Sequence, residues 1–438
     1  MDNIYELNKG LLDFIERTPN SFYAVKNISD ILNDAGFERL YEGQAMEIKK
    51  GGSYYITRND SALIAFRVPK DQFKGFTMAA CHGDSPALKI KDNAEISFED
   101  KYIKLNVEKY GGMLCSTWFD RPLSIAGRVV CECDKGVETR LVNIDRDLLI
   151  IPNLAIHMNR DANNGYKYNA QKDLLPLASL EGSKGILYQL IAENIGTSAD
   201  KILDADLFLY NRQAGTFIGL NDEFIASSRL DDLQCAYGVL KGFLEARQSG
   251  SISLYCLYDN EEVGSQSKQG AASTFLRDTL CRINASLGAD EQSLRIALAN
   301  SFMVSADNAH GVHPNYAEKA DPTNRPVMNK GIVIKYSANQ KYTTDAVSAA
   351  VFKKILKEAN VPYQSFVNHS DVAGGSTLGN ILVSQVAVNT IDIGLAQLAM
   401  HSSYETAGAM DIGYLIEAMK EYYSKAFCSI GDGCITIE

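Results

Sequence analysis

The chain is poor in the features that would tie it to nucleic acid, a membrane or a disulfide framework. Its 43 lysines and arginines are outnumbered by 54 aspartates and glutamates, for a formal net charge of -11. No basic run interrupts that balance, which argues against a general nucleic-acid surface. No uninterrupted apolar stretch approaches the roughly 20 residues of a membrane-spanning helix. The opening MDNIYELNKGLLDFIERT spreads acids through a helical pattern and lacks the basic head and apolar core of a secretory signal. The expectation is a soluble, cytoplasmic protein without nucleic-acid or membrane partners. Cysteines number nine, an odd and scattered set. Only Cys131 and Cys133 lie close together, and they lack the second pair that a zinc ribbon requires, so reduced structural thiols are expected. Histidines number six in 438 residues, few enough to weigh singly. Neither an internal repeat nor a low-complexity linker is visible.

What is present has an ordinary globular composition, 46% hydrophobic and 22% charged, which suggests two or three domains. Up to about residue 92 the pattern is helix, helix, then strands. Leu7, Leu11, Leu12, Phe14 and Ile15 form an apolar face, Ser21 opens a second helix, and SYYITR, ALIAFRV and GFTMAACHGD read as strands. Residues 93–226 change to short alternating runs punctuated by Gly and Asp, with one helix near GILYQLIAENIG. From 227 onward helical patterns alternate with apolar strands, as in a helix-flanked sheet. The assembly predicted is an α/β domain built from residues 1–92 and 227–438, with a β-rich module, 93–226, inserted into it.

Four acidic or histidine-bearing positions follow strongly apolar segments. His82 ends a strand in AACHGDSP with Asp84 two residues on, where the two would share a face on extended backbone. Glu261 and Glu262 follow SLYCLY in DNEEVGS; on extended backbone they would point opposite ways, so that one can ligate a metal while the other serves as a base. Asp307 and His310 lie in VSADNAHGVHP, and His401 in LAMHSSYE. Asp231 and Asp232 open a helix in SSRLDDLQ, a place where acids also serve as simple caps. A solvated loop or a hydrogen-bonded histidine explains each of these singly. Recurrence at strand ends, where sites collect in α/β sheets, favours a common site. Two imidazoles, three carboxylates and a free Glu can hold a pair of divalent ions, and nitrogen and oxygen donors without thiolate suit zinc, with cobalt or manganese as substitutes.

The ordered set CHGDSPALKIK, YGGMLCSTWFDRPL, IPNLAIHMNR, SSRLDDLQCAYG, DNEEVGS, VSADNAHGVHPNY, NQKYTTDAV, GGSTLGNI and LAMHS resembles the zinc metallo-aminopeptidases typified by aspartyl aminopeptidase and vacuolar aminopeptidase I, across nearly the whole chain. The resemblance implies a three-layer helix-sheet-helix catalytic domain with an inserted β-rich dimerisation domain, in tetrahedral homododecamers. It makes His82, Asp231 and Asp307 ligands of one zinc and Asp231, Glu262 and His401 ligands of the other. Asp231 is then the bridge, Glu261 the general base acting on a water between the ions, and Asp84 the partner of His82. His310 would bind substrate, and His157 would do so in a neighbouring subunit. His313, before Pro314, has a weaker case than His310, and the resemblance assigns no role to His369. The Gly374–Thr377 turn could offer backbone donors to substrate.

Two departures stand out. Asp232 replaces the family's usual Asn. Asn339 stands where aspartyl aminopeptidase carries a Lys that pairs with an acidic substrate side chain; Lys341 lies two residues on. The function expected is therefore an aminopeptidase of neutral or broad preference, with acidic preference, and then a dinuclear-metal deacylase of amino-acid amides, as alternatives.

Overall fold

Four apolar runs become parallel neighbours at the centre of a nine-stranded sheet: Ile252–Tyr258, Phe76–His82, Phe302–Ala306 and Asn389–Gly394. All four are almost entirely buried, as parallel strands covered on both faces must be. The computed structural model that gives this arrangement describes residues 2–180 and 185–438. Ser53–Arg58 and Ala62–Arg67 extend the sheet on one side, with Glu38–Leu40 at the edge; Ile332–Tyr336 and Tyr363–Val367 extend it on the other.

Helices cover both faces. Side chains of Asp2–Glu16, Ser21–Asp34, Leu230–Glu245, Ala346–Glu358 and Asp411–Tyr423 join one apolar core with Tyr255, Leu257, Val304 and Ile391 of the sheet. Phe275–Ser286, Glu291–Ala299 and Leu378–Gln385 cover the other face over Leu254, Cys256 and Met303. Alternate residues of one strand thus feed opposite cores, the period-two consequence of the pleat. This is the expected three-layer helix-sheet-helix order.

The β-rich unit is a six-stranded antiparallel sheet, from Ala87–Phe98 to Ile202–Asn211, with its own apolar core around Leu88, Val107, Ile125 and Leu207. Sheet membership does not change at residues 93 and 226, where the sequence texture does. Ala87–Phe98 belongs whole to the β-rich sheet, while Thr216–Ile218 pairs with Phe224–Ser227, and that strand with Glu405–Gly408, in a separate five-stranded sheet that also holds Ala309–His310. No described helix is long and apolar enough to cross a membrane, and the nine cysteines form no disulfide.

Candidate active site

His82 lies level with Tyr258, and Ala306 with Ile393, so the carboxyl ends of the parallel strands open onto one place. There His82, Asp84, Glu261, Glu262, Asp307 and, from a following loop, His401 converge on Asp231. The carboxylate of Asp231 is divided between two sides: Oδ1 lies 3.5 Å from His82 Nε2 and Oδ2 lies 3.5 Å from His401 Nε2. His82 Nε2 is also 3.8 Å from Asp307 Oδ1, and His401 Nε2 is 3.3 Å from Glu262 Oε2. Two sets of donors, His82–Asp231–Asp307 and Asp231–Glu262–His401, therefore share one carboxylate. A third set, His82–Glu261–Glu262, overlaps them.

This third set corrects the expectation that Glu261 and Glu262 face opposite ways. They form a tight turn, Glu261–Val263, between Asn260 at φ 62° and Gly264 at φ 95°, and their carboxylates reach His82 together. Asp231 and Asp232 likewise depart from the expected helix cap. Both have non-helical backbone and are joined by a cis peptide, and Asp232 Oδ2 accepts from the His82 amide at 3.2 Å.

Asp84 organises the adjoining turn. Its carbonyl oxygen lies 3.0 Å and its carboxylate 3.5 Å from His82 Nδ1, so Nδ1 carries the proton and Nε2 is free to ligate. The same carboxylate accepts from the amides of Glu261 and Glu262 at 3.1 and 3.2 Å and from Tyr110 Oη at 2.6 Å. Tyr110, from the β-rich unit, was not found by sequence reasoning. Nor was Glu405, whose buried carboxylate takes the amides of Asp231 (3.1 Å) and His401 (2.8 Å) and so ties two donors together. Lys335 is the third omission: buried, it donates to the Asn308 carbonyl at 2.8 Å and sits 3.6 Å from Asp307 Oδ2. A cation inside the apolar pattern IVIKY is its only signal in the sequence.

Burial and mutual repulsion act strongly here. Burial pushes Glu261 up to about 8, with Asp307, Asp84 and Asp231 adding to the rise. Burial and then Asp231 hold Glu262 well above the usual carboxylate range. Burial alone would lower His82, but Asp231, Asp307 and Asp84 raise it well above its ordinary value. Asp307 would be raised by burial, yet Lys335 and His82 hold it low. Asp259 is buried as well and rises to about 7.

The donor set fits a metal. Asp231 Oδ1 and Glu262 Oε1 are buried acceptors without a hydrogen-bond partner, an arrangement that costs about 1–3 kcal/mol per group unless a cation offsets it. The donors are nitrogen and oxygen without thiolate, as for catalytic zinc sites.

The metal-free protein provides one test. Glu261, Asp259 and His82 all have folded-state pKa values above their unfolded ones, so between about pH 4.5 and 8 the native state binds more protons than the unfolded state and stability falls as pH rises. The denaturant midpoint of the apo protein is expected to be lower at pH 8 than at pH 5, with zinc flattening the trend because ligation takes the place of protons. A midpoint that rises with pH over this window contradicts the crowding.

A cavity of about 300 Å³ opens over His82, Asp231, Glu261, Asp307 and His401, bordered by His310, Tyr342, Phe366, the Gly375–Ser376–Thr377 turn and Met400. Asn339 and Lys341 are exposed and do not line it. His157 is exposed on a loop of the β-rich unit rather than on a strand, outside the donor sets and the cavity of its own chain. His313 and His369 accept from the amides two residues on.

A family model described as aminopeptidase I zinc metalloprotease (M18) matches residues 14–423. The chain is 48% identical over 432 residues to a probable M18 family aminopeptidase 2 of Clostridium acetobutylicum, covering 97% of this chain and 100% of the relative. It is 43% identical to the protein so named in Pseudomonas aeruginosa, over 96% and 99%. Among solved structures, a chain of the Ape4 and Nbr1 complex superposes with a TM-score of 0.93 at 36% identity, covering 96% of this chain and 86% of that one. The S. cerevisiae mApe1 dodecamer superposes with a TM-score of 0.85 at 26% identity, covering 97% of each.

Proposed function

The chain belongs to the M18 family of zinc metallo-aminopeptidases, and from that premise we propose that it removes amino-terminal residues from peptides at the Asp231-centred cluster, using two zinc ions per subunit. The observation that carries this is the division of the Asp231 oxygens between His82 and His401. In this reading His82, Asp231 and Asp307 hold one ion and Asp231, Glu262 and His401 the other. Zinc at these positions supplies positive charge that polarises the scissile carbonyl and acidifies the attacking water. Glu261, the remaining carboxylate at the cavity floor, takes the proton from that water and delivers it to the leaving amine. Asp84 keeps His82 in the ligating tautomer, and His310, on the cavity wall, steadies the substrate. The catalytic unit is assigned to residues 1–92 and 227–438 and the inserted unit to 93–226.

A neutral or broad side-chain preference is favoured. Tyr342, Phe366 and Met400 give the cavity apolar walls, and Lys335, the one lysine among its described lining residues, is committed to Asn308 and Asp307. An acidic side chain entering there meets no uncommitted lysine or arginine among the described lining residues. Leu-p-nitroanilide is expected to be cleaved with a kcat/KM about 10-fold or more above the Asp and Glu analogues, with amino-terminally acetylated versions inert. Faster cleavage of the acidic substrates reverses the preference, and release of acetate from the acetylated ones, with no p-nitroaniline from the free amines, turns the reading to a deacylase.

Self-association into a homododecamer is proposed from the likeness to the mApe1 dodecamer. Leu154, Ile156, Met158 and Leu180 stand exposed on the β-rich unit, apolar surface suited to contact between subunits. Assembly would carry His157 toward a neighbouring cavity. Sedimentation at the mass of one chain contradicts both.

A further inference from the structure

The β-rich unit reaches the metal cluster of its own chain through the segment Tyr110–Thr117. Tyr110 Oη donates to Asp84 and accepts from Asn260 Nδ2 at 2.9 Å, which braces the turn carrying Glu261 and Glu262. The Gly112 carbonyl lies 2.7 Å from His401 Nδ1. A carbonyl can only accept, so that contact puts the proton on Nδ1 and leaves Nε2, facing Asp231 and Glu262, to ligate. The Leu114 amide donates to the His401 carbonyl at 3.0 Å, and Thr117 binds Ser403 twice. These contacts bracket a residue in a costly conformation: His401 has φ 66°, left-handed backbone that a non-glycine residue keeps only when its surroundings impose it. The fit is close. Gly111, at φ 75°, lies against Glu262, where an added Cβ would stand 3.1 Å from Glu262 Cβ and 3.5 Å from its Oε2.

We infer that Tyr110–Thr117 is a positioning element of the metal site, so that the unit otherwise read as an assembly module also sets zinc affinity within its own chain. The inference rests on the two-zinc reading above. It commits the segment to the Asp231–Glu262–His401 position most directly, because Gly111 and Gly112 touch two of those three donors.

The test compares the full-length protein with Gly111→Ala and Gly433→Ala by zinc content and by competition with a chelator of known affinity. Gly433 has nearly the same φ, 71°, but open space around it, so it carries the backbone strain of the substitution without the contact. Gly111→Ala is expected to hold its weaker zinc about 10–100-fold less tightly, the usual effect of disturbing a ligand's outer partner, with Gly433→Ala unchanged. Equal affinity in the two variants, both retaining two zinc ions, overturns the inference alone. A single zinc per chain in the unmodified protein overturns the two-zinc reading beneath it. Should Gly111→Ala fail to fold, Tyr110→Phe keeps the ring against Phe208 and removes only the hydroxyl. It is expected to weaken zinc several-fold, and unchanged affinity there overturns the inference.

Discussion

Replacing Glu261 by Gln is expected to leave two zinc ions per subunit in place and to lower kcat by roughly 10²–10⁴, the usual contribution of a positioned proton-transfer group. The side chain keeps its shape, so the turn held by Asp84 through the Glu261 and Glu262 amides stays formed. What is lost is the ability to take up and return a proton. The geometry makes this a real decision, because Glu261 also lies within a possible donor set with His82 and Glu262. If Glu261 were a ligand, the amide would hold zinc less well and metal content would fall with activity. Zinc measured by plasma emission, alongside single-turnover hydrolysis of Leu-p-nitroanilide, separates the two roles. Loss of metal in Glu261→Gln would reassign the base.

Asp231→Ala should have the widest effect of any single change, since its two oxygens serve both donor sets. Both zinc affinities are expected to fall, by more than the ~10–100-fold that follows loss of an outer partner, and turnover is expected to vanish at ordinary zinc concentrations. Stability of the metal-free protein is expected to move the other way. Asp231 is buried with an unpartnered oxygen and raises Glu262, Glu261 and Glu405 by repulsion, three effects set against its attraction for His82. Removing it should stabilise the apo protein by roughly 1–3 kcal/mol, the penalty of an unsatisfied buried polar group. Opposite signs for apo stability and metal affinity are the mark of a site whose carboxylates are kept for function at the expense of the fold. Denaturant titration of apo variant and apo parent measures the first; chelator competition measures the second. An apo variant less stable than its parent would mean that Asp231 supports the fold in its own right.

The strand ends were readable because their signal is local: FTMAACH, ISLYCLY and FMVSA are apolar on both faces, and the polar residue that ends or follows each is conspicuous. His401 is different, since a loop rather than a strand carries it to the cluster, and its position followed from the resemblance and from the chain's shortage of histidine. The turn at Glu261 and Glu262 was misjudged because Asn260 and Gly264 reverse the backbone where the pattern suggested continued extension. Glu405 gave no usable signal, since it opens the short strand Glu405–Gly408 beside small residues, and Lys335 gave only that of a cation in a strand of otherwise apolar residues.

By itself, then, the sequence determined the layered α/β class, the shared ends of the apolar strands and the donor types, because each depends on residue pattern within a few positions. The tertiary structure alone decided which donors share Asp231, that Glu405 ties Asp231 to His401, and that Gly112 fixes a histidine 289 residues away. Those relations are distances between segments far apart in the chain. Only the closing of the sheet and the docking of the β-rich unit against it bring them into contact.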